Sequence, residues 1–286
     1  MDRRSVGSAR ERWQPIVRGV FMGVRIGDAI GMPWEIVRRR KIMRLTNGRG
    51  LTGFLDRDDR FFKSVRHLVL GDATDDYQLT AAVARSFIHS RGFNLDDIAA
   101  EHVRERMRTT AGWGGSTEQS VRASARWFAT SGARGRGPGV QIAKKKGATG
   151  TGNGVVMKVA PIPLWDTIRA IELNEPKAFP HQVLRFGRLT HADPRASIAA
   201  LAVASLMEVS IRSPVVGVGS ANELRAAVDR LGQIIQFMRS IEQIPENQCK
   251  GEPVSTRLER LLTDGLLFED PVKLAKRIGT SCFALV

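Results

Sequence analysis

The sequence predicts an all-α fold in one domain, and three observations carry that reading. Apolar residues recur at helical spacing through most of the chain. Alternating strand patterns are scarce. The helical stretches are punctuated by cap and breaker residues at the places helices need them. The 286 residues exceed the usual length of one domain, but large single domains of this size are common. Apolar residues make up 42%, enough for a sizeable core. No internal repeat or linker divides the chain. The expected organisation is a polar lead-in over 1–13 and one domain over 14–286.

In chain order, Ile16, Val17, Val20, Phe21 and Val24 mark the first helix. Gly19, Gly23, Gly27 and Gly31 repeat every four residues along it, a stripe that would let another backbone approach closely. Pro33 ends the pattern. Residues 42–70 read as mixed and loop-like, with an acidic tip at 56–59. Thr74 is the expected N-cap of the next helix, with Leu79, Val83 and Phe87 as its apolar face. Asn94 opens a helix carrying Leu95, Ile98, Ala99 and Val103. Thr117 to Phe128 is another. Residues 131–154, rich in glycine and lysine, read as a long functional loop. Ala196 to Val209 is apolar nearly all round and predicts a central buried helix. Ala221 to Ile241 and Ser255 to Leu262 are amphipathic.

Composition narrows the function classes. The longest nearly apolar run, Ile198 to Met207, is far short of the roughly 20 residues a membrane span needs. Met1 to Trp13 has no apolar core of a secretory signal. Cys249 and Cys282 form neither a disulfide framework nor a metal pattern, and a cytoplasmic setting fits best. The net charge of +15, with clusters at 38–41 and 144–146, could attract an anionic nucleotide or nucleic acid. A solvated, arginine-rich surface explains it more simply. Aromatic residues are too few for a single-strand stacking platform, so a nucleic-acid partner is not required.

Four stretches could carry chemistry. Glu35 follows the proline-terminated first helix, where a carboxylate can project into a cleft or simply meet solvent. Thr74-Asp75-Asp76 groups hard oxygen ligands in one turn, which suits Mg²⁺ or Mn²⁺ better than zinc. Helix capping explains the same residues. Gly152-Asn153-Gly154 could cradle a diphosphate through backbone N–H groups; it matches neither the dinucleotide fingerprint nor a P-loop, and a plain turn is the alternative. His191, in Thr190-His191-Ala192-Asp193, could contact a nucleotide or serve only a local hydrogen bond.

Together these stretches resemble the ADP-ribosylglycohydrolase family. The family's GDAxGxPxE stretch matches Gly27, Asp28, Ala29, Gly31, Pro33 and Glu35; its TDD matches Thr74, Asp75 and Asp76. Its Trp-Gly-Gly matches Trp113-Gly114-Gly115, its GNGxxM matches Gly152 to Met157, and its THxD matches Thr190 to Asp193. Tyr77 stands where a Thr usually follows TDD, and Lys158 where an Arg is usual. The resemblance implies an all-α hydrolase of the glycosidic bond of ADP-ribosyl groups, with a dinuclear Mg²⁺ or Mn²⁺ site. Thr74, Asp75 and Asp76 would be metal ligands and Glu35 the catalytic carboxylate. Trp113, Gly114, Gly115, Gly152, Asn153, Gly154 and His191 would bind substrate, with His191 on the adenosine side. The substrate would be an ADP-ribosylated protein or a small ADP-ribosyl compound, and the chain a monomer. The family's GGDTD-type motif does not occur in this sequence, and the last residues, 281–286, read as the middle of a buried helix. A C-terminal part of the domain is therefore expected to be missing. A catalytically weak ADP-ribose-binding domain is the alternative function.

Overall fold

The computed structural model describes residues 3–35, 37–50, 53–54, 71–109, 112–131, 150–212 and 221–263. The described residues are helical, with no strand among them. The clusters at 56–59 and 144–146, Cys282 and the apolar residues 281–286 lie outside them.

The first helix, α1, runs Arg3–Gly31 and carries Pro15 inside it. The residues expected as a polar lead-in are thus its first turns, and Trp13 is buried. Its indole N–H donates to Glu172 Oε1 at 2.7 Å, which pins the helix to the body. A 3₁₀ turn, Met32–Trp34, follows at the proline. Helix α2, Arg39–Leu45, stands inside the stretch expected to be loop; with no buried residue it left no apolar face to read. Among the described residues the glycine stripe of α1 meets no closely packed neighbour. A Cβ at Gly19, Gly23, Gly27 or Gly31 would meet nothing within 4 Å among the described residues.

The remaining helices are α3 (Asp75–Ser90), α4 (Leu95–Arg108), α5 (Gly115–Ser131), α6 (Pro161–Glu172) and α7 (Phe179–Thr190). Then come α8 (Pro194–Arg212), α9 (Ala221–Glu242) and α10 (Val254–Thr263). Helix α8 is central, as expected: Ile198, Ala199, Ala200, Leu201, Ala202 and Ala204 are fully buried. It packs on α6, α7, α9 and α10. By length and composition α8 could cross a membrane, but its apolar surface is already taken up by these neighbours. Its small residues allow close approach. A Cβ on Gly187 of α7 would lie 3.0 Å from the Ser197 backbone.

Helices α3 and α4 are tied by a partly buried ion network. Arg85 Nε donates to Glu101 Oε2 at 2.8 Å, and Arg85 Nη2 to Glu105 Oε2 at 2.5 Å. Asn94 caps α4 as predicted, its side-chain oxygen accepting from the Asp96 and Asp97 N–H groups. Helix α3 packs on α1, and α4 on α5, so the start of α3 meets the end of α1 and, across Gly112, the approach to α5. That meeting point is the site.

Candidate functional site

Thr74 holds the N-cap position of α3, but its side chain makes no cap bond. Asp28, in the last turn of α1, does that work from across the interface. The Thr74 N–H donates to Asp28 Oδ2 at 2.6 Å, and the Thr74 hydroxyl to Asp28 Oδ1 at 2.7 Å. The Tyr77 N–H also reaches Oδ2, at 3.2 Å. A carboxylate at a helix N-terminus satisfies orphan N–H groups and meets the positive end of the dipole. The Tyr77 ring lies 5.5 Å from the Arg25 guanidinium, on the α1 side of α3.

With the cap supplied by Asp28, Asp75 and Asp76 are left over. Among the described residues no other residue's donor reaches either carboxylate. Asp75 is buried and Asp76 half-buried. Burial raises the Asp75 pKa to about 6, with Asp28 and Glu35 adding repulsion and its own N–H and Lys158 pulling down. Burial likewise raises Asp76 to about 7, helped by the charges of Asp75, Asp28 and Glu35. Buried like charges are costly unless a cation lies among them.

One cleft of about 150 Å³ takes in Glu35, Asp75, Asp76, Gly114, Gly115, Gly152, Asn153, Gly154 and His191. Residues from five separate stretches of sequence therefore share one wall. Glu35 is exposed at the rim, just after the 3₁₀ turn, and its N–H donates to the Met32 carbonyl at 3.2 Å. Thr74 and Trp113 do not line the cleft. Thr74 is fully buried behind it, and the half-buried Trp113 has an indole N–H with no partner among the described residues. A larger cavity of about 440 Å³ shares no residue with the cleft. It lies between α1, α3 and α6 and is walled by apolar side chains such as Phe21, Phe87 and Trp165. It lacks the convergent polar groups that chemistry needs.

Several residues of the site escaped the sequence reading. Gly112 has φ +82, and a Cβ there would lie 2.4 Å from Asp75 Oδ1, so only glycine fits. Ser116 and Thr117 line the cleft in the first turn of α5. The first intrahelical bond of α5 runs from the Glu118 N–H to the Gly114 carbonyl. The N–H groups before it face outward as orphan donors, a ready setting for an anion. In the glycine loop it is Gly154 that is sterically required. A Cβ there would come within 2.8 Å of His191 Cε1 and Thr117 Oγ1. Among the described residues nothing crowds Gly152, and its φ is not in the left-handed region.

Lys158, in the 3₁₀ turn Val156–Lys158, is fully buried under the cleft. Burial lowers its pKa to about 7, with Asp75 opposing the shift. His191 is buried, and burial together with Lys158 lowers its pKa to about 3. It is neutral at physiological pH.

The profile of the ADP-ribosylglycohydrolase family matches residues 9–284. The chain belongs to the ADP-ribosylglycohydrolase family. This ADP-ribosylglycohydrolase has the all-α fold of its family, and its members are in general metal-dependent hydrolases of ADP-ribosylated substrates. No curated protein matches the chain significantly. Asp75 and Asp76 fit a hard divalent cation in donor type, burial and mutual repulsion. Among the described residues no group of three His, Cys, Asp or Glu side chains is placed to hold a metal ion, so the fit is that of a partial site. The Thr74 hydroxyl donates its proton to Asp28, and its oxygen keeps the lone pairs that a cation would use.

Proposed function

We propose that this cleft hydrolyses the glycosidic bond between ADP-ribose and a protein side chain or small acceptor, with Mg²⁺ or Mn²⁺ as cofactor. The observation that carries the reading is the meeting of Asp75 and Asp76 with the Gly152–Gly154 loop and the α5 N-terminus in one cleft. A cation at one end and anion-binding backbone at the other match a ribose joined to a diphosphate. The cleft is smaller than the roughly 300–1,000 Å³ of a typical ligand pocket, so it seats the distal ribose and leaves the adenosine outside.

Asp75 and Asp76 would hold the metal, which when bound orients ribose hydroxyls and lowers the pKa of a water. The glycine loop and the α5 N-terminus hold the diphosphate. His191, packed against Gly154, lies on the phosphate side of the cleft rather than with the adenosine. Glu35, at the rim, orients the acceptor and moves a proton from the attacking water to the acceptor atom that leaves the anomeric carbon. Charge builds up there in an oxocarbenium-like state, which a nearby carboxylate favours.

The test is hydrolysis of ADP-ribosyl-arginine and of an ADP-ribosylated serine peptide, with Mg²⁺, with Mn²⁺ and with chelator. Metal-dependent release of ADP-ribose is the expected result. Binding of ADP-ribose without turnover under all conditions would support the second reading, a binding domain. That reading has one observation in its favour: among the described residues no group of three His, Cys, Asp or Glu side chains is placed to hold a metal ion.

A further inference from the structure

The side chains beneath the glycine loop form a relay whose polarity can be worked out. Lys158 Nζ donates to Thr190 Oγ1 at 3.3 Å. The same Oγ1 lies 3.0 Å from His191 Nδ1. All three residues are buried. While Lys158 is protonated, below its pKa of about 7, its ammonium has donors only, and a hydroxyl has one proton to give. Thr190 Oγ1 therefore accepts from Lys158. Among the described residues its hydroxyl has no third partner, so its proton points to His191 Nδ1, which must be the unprotonated nitrogen. The neighbours hold this geometry in place. Ser120 Oγ donates to the Thr190 carbonyl at 3.1 Å, and the His191 N–H donates to the Gly187 carbonyl at 2.9 Å.

His191 is buried next to the Lys158 amine, and both conditions oppose a charged imidazolium. The ring is thus neutral with its proton on Nε2. That edge faces the cleft: a Cβ on Gly154 would lie 2.8 Å from Cε1 and 3.3 Å from Nε2. We infer that Lys158 is a positioning residue that, through Thr190, fixes His191 as its Nε2–H tautomer and so gives the cleft a hydrogen-bond donor for an oxygen of the bound ADP-ribosyl group. The naming of the ligand rests on the function proposed above; the tautomer does not. A donor at this place accepts phosphate or hydroxyl oxygen and rejects an N–H. It also bars His191 from acting as a base through Nε2.

The experiment is long-range ¹H–¹⁵N correlation of the full chain labelled at histidine, with His191→Gln to assign the signal. The wild type should show a pyridine-like Nδ1 and a pyrrole-like Nε2 near pH 6, where Lys158 is an ammonium and His191 is neutral. Thr190→Val and Lys158→Met should both shift population toward the Nδ1–H tautomer, while Thr190→Ser and Lys158→Arg, which keep the hydroxyl and the donors, should restore the wild-type pattern. A wild-type His191 protonated on Nδ1, or on both nitrogens, overturns the inference even if the variants fail to fold. So does an unchanged tautomer in folded Thr190→Val and Lys158→Met. Titration with ADP-ribose then tests the ligand separately. A displaced Nε2 resonance supports it; saturation binding with no displacement overturns the ligand assignment and leaves the tautomer standing.

Discussion

At the scale of the residue, the site is a problem of charge. Two carboxylates sit in one turn, with their pKa values raised to about 6 and about 7. Below about pH 4 both are protonated in the folded and unfolded chain alike and cost nothing. Between about pH 4 and pH 7 the unfolded chain has ionised them while the folded chain still holds their protons, and above that window the difference is constant. Their contribution to stability therefore falls with rising pH in metal-free protein. Asp76→Asn should raise the melting temperature of metal-free protein near pH 8 and leave it nearly unchanged near pH 4, as read by calorimetry. Asp75→Ala and Asp76→Ala should each weaken Mn²⁺ binding in isothermal titration, since a neutral group does not replace a charged ligand. Unchanged affinity in both would assign the pair to helix chemistry alone.

Glu35 makes a different prediction, because its position at the rim suits proton transfer rather than metal holding. Glu35→Gln keeps shape and loses basicity. Turnover of an ADP-ribosyl substrate should fall roughly 10²-fold or more while ADP-ribose still binds. Near-normal turnover would remove Glu35 from the chemistry. The glycine loop separates into two roles at the same scale. Gly154→Ala must push on His191 and Thr117, so it should lower both melting temperature and ADP-ribose affinity. Gly152→Ala meets nothing among the described residues and should leave stability intact. A loss of affinity there would report the diphosphate itself, and wild-type affinity would mean the ligand does not approach that backbone.

At the scale of the element, the helix starts differ in how they are capped. Asn94 caps its own helix, so Asn94→Ala should cost about 0.5–2 kcal/mol. Helix α3 is capped by Asp28 of α1, so the cap is also a tertiary contact. Asp28→Ala leaves three donor groups without their carboxylate and should cost about 1.5–3 kcal/mol, the range for hydrogen bonds to a charged group. Thr74→Ala keeps two of the three bonds and should cost less. Equal losses from Asp28→Ala and Thr74→Ala in denaturant unfolding would contradict capping by Asp28. The motif stretch Gly27 to Glu35 thus contains a structural acid, Asp28, beside a cleft acid, Glu35. Sequence spacing did not separate the two.

At the scale of the whole molecule, the cleft exists because α7 and α8 pack tightly enough to set Thr190 and His191 under the glycine loop. Gly187 is a point of close approach, against Ser197. Gly187→Ala should cost about 1–3 kcal/mol by overpacking and should disturb ADP-ribose binding from a position that lines no part of the cleft. Wild-type stability in that variant would show that the two helices can separate freely.

The all-α class and the central helix at 194–212 were legible in the sequence, because helical periodicity and cap chemistry are local properties. The motif residues were legible because each is an unusual group of polar residues and glycines in a short stretch. Helix α2 was not, having no buried face. Nor were the roles of Asp28, Gly112 and Lys158. Each depends on a partner far away in sequence: Asp28 on Thr74, Gly112 on Asp75, Lys158 on Thr190 and His191. The sequence by itself determined which side chains could do chemistry. Only the tertiary structure decided which of them cap, which face the cleft and which tautomer His191 presents, because those choices follow from distances between helices that no local pattern encodes.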